Sequence, residues 1–410
     1  MAAARLPRAG LAASERLDVL AAAPLSYRLD GREQFQIGGG LYCASLLLGL
    51  AGLGHRVRAL ASGPRSSSSA RPEPLGPGVS VEWFALDFTS AGKPPPASYV
   101  RRERARFEIA LGRALAERRP DVVLLGSEAQ AWYAAEPCRE QGLPTMLVSH
   151  GVPTAALPAG IYPPAAARAL VARLGHVDYI ATVARHLEAI LRSLGLARVA
   201  TVGVGVDAQA FRPRQKDPAL LAARGIERDR FVIGSFSQMR PEKRILDIVR
   251  SAEHVLRAEP RALYLVAGDG PGRKEAVAFV AERGLGDGFR FVGELDHAAV
   301  PAYMALSDVV VLASEREGCS LVCREAQACG RALVVSDIPA GREVTGEGKT
   351  GLLFRLGHVD DLAAKTLQLA RDPRLRRRLA GNGRTVSRAH TREGWIERCS
   401  EVLVRTAGAT

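Results

Sequence analysis

Lysine is scarce in this 410-residue chain: Lys93, Lys216, Lys243, Lys274, Lys349 and Lys365 are all it has. Lys and Arg together still number 56 against 43 Asp and Glu, a net formal charge of +13 that is owed mainly to arginine. That balance suits an anionic ligand, a nucleic acid or an anionic membrane surface, and composition does not separate them. Aromatic residues make up only 5% and are not interleaved with a basic patch, which argues against a nucleic-acid partner held by base stacking. No apolar run reaches the ~18–20 residues that cross a bilayer. The longest, about Leu41 to Leu53, falls short, and Glu15, Arg16 and Asp18 interrupt any signal-peptide core. The six cysteines (Cys43, Cys138, Cys319, Cys323, Cys329 and Cys399) show no paired Cys-x-x-Cys spacing, which excludes a zinc ribbon and a disulfide scaffold. A cytoplasmic protein with reduced thiols is the expectation.

The hydrophobic fraction of 47% and charged fraction of 24% describe a globular chain, too long for one compact core. Short β-rich runs alternate with helical patterns from end to end. Strands are expected at Asp18–Ala22, His55–Leu60, Val79–Leu86, Asp121–Leu125, Thr145–Ser149, Tyr179–Val183 and Val199–Val202. A second series follows at Phe231–Phe236, Ala262–Ala267, Phe289–Val292, Val309–Leu312 and Arg331–Val335. Several are continuous Val/Ile/Leu runs, as parallel strands covered on both faces require. The reading is α/β, with two doubly wound domains in succession. The Gly-, Pro- and charge-rich segment Gly203–Asp217 marks the boundary, giving domains 1–205 and 206–389. Gly63–Gly78 and Lys93–Ala97 read as exposed loops, and Gly151–Pro164 as a long apolar loop on the crevice side of the sheet. The basic amphipathic stretch Arg101–Arg119 places Phe107, Leu111, Ala114 and Leu115 on one face. A crossover helix packed on the sheet is favoured over a peripheral membrane contact, because a strand follows at once.

Most chemistry-bearing signals lie in the second half. Phe236–Arg244 (FSQMRPEKR) leaves a strand and opens a helix, so backbone N–H groups and the Lys243 ammonium can face a phosphate. Val266–Gly272 (VAGDGPG) ends a strand in a turn whose glycines serve either an anion or positive φ. In Ser314–Gly330, Glu317 and Glu325 lie eight positions apart, with a helix beginning near Ser320 and amides of Gly318–Leu321 at its start. Carboxylates beside an anion site can accept hydrogen bonds from sugar or ribose hydroxyls; the plain alternative is an acidic helix start and an exposed helix residue. Lys349-Thr350 lacks P-loop spacing and leads into a strand-like run, so a P-loop is rejected. In the first half, Gln36–Gly40 (QIGGG) puts Gly38, Gly39 and Gly40 at a helix start, and His150 sits at the C-terminal end of a strand.

In this order the segments resemble the retaining glycosyltransferase family 4, a GT-B group. EGCSLVCREA resembles the family's EGFGLVxLEA, and Pro241-Glu242-Lys243 its PEK. VAGDGP, KTGLLF, Arg371–Arg378, GHRV after a glycine loop, a strand ending in His-Gly, and Gly205–Pro213 also match. The resemblance spans most of the chain and is strongest from Phe231 to about Arg384. It implies two Rossmann-like domains facing a central cleft, with the acceptor in the N-terminal domain and a nucleoside-diphosphate sugar in the C-terminal one. A last helix, about 390–410, would cross back to the first domain. It implies that His150, Lys243 and Glu317 serve catalysis: His150 contacts the reacting sugar or the acceptor side, Lys243 the diphosphate, and Glu317 the sugar hydroxyls. Glu325 would hold the ribose, the amides of Gly318, Cys319, Ser320 and Leu321 the sugar and diphosphate, and Gly38–Gly40 would close over the phosphates. No cofactor or metal is expected beyond the donor substrate.

The departures are specific. Ser237-Gln238-Met239 stands where the family has Gly-Arg-Leu, so Gln238, in the donor-binding position, lacks the usual guanidinium. Arg240, or Arg324 in place of a usual leucine, is the candidate replacement. Pro339-Ala340 stands for a double glycine. The expected activity is hexosyl transfer to a hydroxyl of a small-molecule, saccharide or lipid-linked acceptor. The competing classes are a degenerate nucleotide-sugar-binding regulatory protein and a GT-B-type nucleotide-sugar epimerase. Donor base, sugar, acceptor and oligomeric state are not readable from the sequence.

Overall fold

The computed structural model describes residues 12, 15–23, 25, 28–29, 32–33, 38–63, 73–85 and 94–408. The chain divides into two compact units: one built from residues up to Gly203 together with those from Glu393 on, the other Val204–Arg392.

The first unit is a sheet of eight strands. Its strands are β1 (Asp18–Ala23), β4 (Arg56–Gly63), β5 (Glu73–Gly76), β6 (Val79–Ala85), β7 (Val122–Leu125), β8 (Thr145–Ser149), β9 (Tyr179–Thr182) and β10 (Val199–Thr201), while β2 (Arg28–Leu29) and β3 (Arg32–Glu33) form a separate small hairpin. The order is β10-β9-β8-β7-β1-β4-β6-β5, parallel except for the edge strand β5. That edge strand corrects the reading of 63–78 as one loop: Glu73 pairs with Val81, while Gly63 belongs to β4. Residues 64–72 and Leu86–Lys93 lie outside the described residues, as do Gln36 and Ile37 of the glycine motif. The helix Ala97–Glu117 buries Phe107, Ala110 and Leu111 in the sheet-covering core and leaves Ile109 at the surface. Burying a phenylalanine this way contributes about 1.5–3 kcal/mol, enough to orient the helix with its arginines outward. Arg104 is neutralised there by Glu108, Glu136 and Glu140.

The helix Arg392–Ala407 packs into this same unit. Trp395 is buried with its ring 3.9 Å from that of Tyr42, and His55 Nε2 lies 2.8 Å from Ser400 Oγ. A side chain at Gly49 would collide with Ile396, so close helix approach requires that glycine.

The second unit is a six-stranded, all-parallel sheet in the order β13-β12-β11-β14-β15-β16. Its strands are β11 (Phe231–Phe236), β12 (Ala262–Ala267), β13 (Phe289–Gly293), β14 (Val309–Leu312), β15 (Ala332–Ser336) and β16 (Gly351–Phe354). In chain order this is 3-2-1-4-5-6, the doubly wound arrangement. The order of strand addition reverses between β11 and β14, so the loops leaving these two parallel strands diverge and open a crevice at their carboxyl ends. Those loops carry Gln238–Lys243 and Ser314–Leu321.

Candidate active site

The loop after β11 is fixed by the glycine-rich turn after β12. Met239 N–H donates to Asp269 O (2.8 Å), and Gly272 N–H donates to Met239 O (2.8 Å). Gly268, at φ 125°, lies where a Cβ would come within 1.9 Å of Ser237 O. Gly268 and Gly270 stand at positive φ (125° and 143°), as the plainer of the two sequence readings expects, and the turn also needs the close backbone approach at Gly268. Lys243 sits on a short 3₁₀ turn, Pro241–Lys243, and Arg244 at φ 50° separates it from the helix Ile245–Ala258. The expectation of one continuous helix start is corrected by that left-handed residue. It lifts Lys243 off the helix and aims it sideways.

The target is the loop after β14. Glu315 N–H donates to Glu242 O (2.8 Å), stitching the two loops together. Lys243 Nζ then reaches Glu317 Oε1 at 2.6 Å, and Ser314 Oγ donates to the same oxygen at 2.7 Å. Both side chains of the ion pair are mostly shielded from water, so the pair is screened less than a surface bridge. Directly beyond lies the helix Leu321–Ala328, capped by Ser320, whose Oγ accepts from Cys323 N–H at 3.3 Å. Its unpaired amides and dipole favour an anion at this end. A small hollow adjoins Ser314, Glu317, Ser320, Val335 and Ala340.

Gly318 and Ser320 are buried, while Cys319, Leu321, Gln238 and Arg240 are half-buried around this loop. Burial pushes the Cys319 thiol upward, with nearby Arg324 opposing.

Glu325 is buried on the helix, not exposed. It is not part of the Lys243–Glu317 pair. Its Oε1 lies 2.9 Å from His297 Nε2, on the segment after β13, and the His297 ring is 5.4 Å from that of Phe211. The bond to Glu325 holds the His297 pKa above its ordinary value, while burial raises that of Glu325 against the opposing pull of His297. Sequence reasoning missed His297; a lone histidine four residues past a strand carries no signal until the fold delivers a carboxylate to it.

In the first unit Gly38, Gly39 and Gly40 open the helix Gly38–Gly52, which continues through Tyr42 and Cys43. His150 follows β8 and lies on the turn before the short helix Val152–Ala156, with Gly151 at φ 93°. That helix corrects the reading of 151–164 as an irregular loop. The turn is wired by Glu128, a residue the sequence did not single out. Its buried carboxylate accepts from Ser149 Oγ (2.7 Å), Gly151 N–H (2.9 Å), Thr154 Oγ1 (3.0 Å) and His150 N–H (3.1 Å). His150 Nε2 donates to Gly126 O at 2.8 Å, which makes Nδ1 the lone-pair nitrogen of the neutral ring. Burial lowers the His150 pKa, with the charge of Glu128 opposing. Cys43, whose Sγ lies 3.9 Å from His150 Nε2, has its thiol pushed up to about 12 by burial and is inert as a nucleophile.

Among the described residues no cluster of three His, Cys, Asp or Glu side chains is arranged to hold a metal ion. No helix among them is long and apolar enough to cross a membrane.

A doubly wound sheet with a lysine–glutamate pair at a capped helix start, at the switch point, is the setting for a phosphate-bearing ligand. Two family models match the chain in succession: Glycosyltransferase Family 4 over residues 37–210 and Glycosyl transferases group 1 over residues 217–386. The chain belongs to the family 4 glycosyltransferases. The chain is similar to the alpha-D-kanosaminyltransferase of Streptomyces kanamyceticus, at 28% identity over 38% of this chain and 40% of that protein. It is also similar to the D-inositol 3-phosphate glycosyltransferase of Thermomonospora curvata, at 30% identity over 50% of this chain and 51% of that one. The matched stretch thus spans about half, or less, of the length of these curated relatives. Among solved structures, the sucrose-phosphate synthase of Thermosynechococcus elongatus aligns with a TM-score of 0.80 at 18% identity, over 96% of this chain and 100% of that one. At that identity the likeness is one of fold, and the fold is GT-B.

Proposed function

We propose that the protein is a retaining glycosyltransferase that moves a hexose from a nucleoside-diphosphate sugar to a hydroxyl of a small-molecule, saccharide or lipid-linked acceptor. The observation that carries this reading is the 2.6 Å Lys243–Glu317 pair beside the capped N-terminus of Leu321–Ala328. In the reaction, the bond between the anomeric carbon and the diphosphate oxygen breaks and the diphosphate keeps the electron pair. The acceptor oxygen bonds to that carbon on the same face, and its proton passes to the departing diphosphate. Lys243 and the amides of Gly318–Leu321 meet the leaving charge, which they can do without reorganising because Glu317 and the Ser320 cap hold them in place. Glu317 also offers its carboxylate to the sugar hydroxyls, and Glu325 to the ribose. Positive charge from side chains and amides serves this step, so the reading requires no metal. On the acceptor side, within the first unit, His150 is the assigned group; its neutral ring and lone-pair Nδ1 suit a hydroxyl donor.

The relative named for D-inositol 3-phosphate makes a phosphorylated or free polyol the first acceptor to try. Labelled nucleotide-sugars incubated with protein and acceptor should release nucleoside diphosphate and yield a glycoside with the donor's anomeric configuration. An inverted product would refute the retaining course, and binding without release across a broad acceptor panel would refute catalysis. The latter outcome is the one expected of a nucleotide-sugar-binding regulator, a reading favoured by Gln238 alone.

A further inference from the structure

We infer that Arg324 is a diphosphate anchor of the donor site, replacing from beneath the Gly318–Leu321 turn the guanidinium that Gln238 does not provide. The inference rests on the donor reading above and concerns a residue of this chain that the donor reading leaves without a role.

Arg324 occupies the first turns of Leu321–Ala328, next to Glu325, and is only 6% exposed. Its bonding is thin for a buried cation. Nη1 donates to Gln327 Oε1 at 3.2 Å, the guanidinium faces the Cys319 thiol, and Nε is buried with no hydrogen-bond partner. It forms no ion pair with any carboxylate among the described residues. Glu317 and Glu343 act on the neighbouring Cys319 only through space. Arg58 differs in having a carboxylate: its guanidinium meets Asp18 Oδ1 at 3.0 Å, although its Nε is likewise buried without a partner.

A guanidinium taken out of water without a counter-ion costs several kcal/mol, and such charges persist where something else gains from them. An apolar residue of similar length would fill the position on a helix packed between β14 and β15. The orphaned Nε, the contact with Cys319 in the donor turn and the helix dipole together make a positive site that lacks only its anion. A diphosphate over the turn supplies two negative groups within reach of a planar, multi-donor cation. Arg240 competes for the same role. It is half-exposed at the start of the 3₁₀ turn, where water meets its charge, so nothing in its surroundings demands an anion.

The test compares wild type with Arg324→Leu, Arg324→Lys and Arg240→Ala by calorimetry. The probes are UDP, GDP and ADP, each against its own nucleoside, with thermal unfolding of the ligand-free proteins alongside. For the diphosphate that wild type binds best, Arg324→Leu should lose about tenfold or more in affinity while its nucleoside changes by less than about twofold, as removal of one charged phosphate contact predicts. Arg324→Lys should recover part of the loss. The ligand-free Arg324→Leu protein should melt no lower than wild type, because an uncompensated charge has been removed. Unchanged diphosphate affinity in Arg324→Leu overturns the inference. So does an equal loss for diphosphate and nucleoside with a lowered melting point, the mark of a merely structural arginine. Selective diphosphate loss in Arg240→Ala but not in Arg324→Leu overturns it in favour of Arg240. Failure of the donor reading itself shows differently: wild type then binds none of the three diphosphates, and the inference falls with it.

Discussion

His297→Ala tests how the buried carboxylate of Glu325 is kept in place. Glu325 is buried, and His297 Nε2 at 2.9 Å supplies its charge-assisted bond. Such bonds are worth about 1.5–3 kcal/mol when shielded. The His297 side chain is 44% exposed, so solvent screening reduces this to about 1–2 kcal/mol. In a unit of this size that corresponds to a fall of about 3–6 °C in melting temperature. The pH dependence has a definite sign. The pKa of His297 is raised above 6.5 in the fold by its bond to Glu325. Its contribution is therefore fully present below the unfolded value and is lost as pH rises through the raised one. Burial raises the Glu325 pKa above 4.5, so at acid pH that carboxyl protonates and the ion pair weakens again. The gap between wild type and His297→Ala should be widest below about pH 6.5 and narrow toward pH 9, where the neutral ring keeps only its N–H donor to Glu325. Melting curves of both proteins across pH 5–9 measure it. A gap that is flat with pH, or that widens as pH rises, refutes the reasoning, because it would mean that the imidazole contributes as a neutral packing group. His297→Gln, which keeps a donor without the charge, should recover part of the stability and none of the pH dependence.

Other outcomes follow from the same geometry. Lys243→Ala should lower the rate of nucleoside-diphosphate release by about 100-fold, roughly 2.7 kcal/mol of transition-state stabilisation, with a smaller change in donor KM; single-turnover assays separate the two. Glu128→Ala removes the acceptor shared by Ser149, His150, Gly151 and Thr154, leaving buried donors unsatisfied, and should cost about 3–5 kcal/mol by denaturant titration. Gly268→Ala forces a Cβ onto Ser237 O from a left-handed backbone and should destabilise the second unit by more than about 2 kcal/mol, while limited proteolysis reports loosening of Ser237–Met239.

Much of this architecture was legible in the linear chain. Continuous runs such as Val309–Leu312 and Ala262–Ala267 must be covered on both faces, so they read directly as parallel strands with helices between them. Ser320, with Glu317 ahead of it, marks a helix start in the sequence itself. The edge strand Glu73–Gly76 was hidden, because a Pro- and Gly-containing tetrapeptide at a sheet margin owes its conformation to the partner strand Val79–Ala85 rather than to its own propensity. The left-handed Arg244 was equally invisible, since a non-glycine at positive φ is imposed by surrounding packing.

Local residue order thus determined the two α/β units, the switch-point loops and the membership of Lys243 and Glu317 in one motif set, because periodicity, capping and loop chemistry act over a few residues. Tertiary structure alone decided who touches whom. It set Lys243 against Glu317, gave Glu325 to His297 and Glu128 to the His150 turn, and buried Arg324 with no ion pair among the described residues. Those outcomes depend on strands far apart in sequence being adjacent in a sheet, and on the desolvation that adjacency brings. Neither quantity is a property of any short stretch of chain.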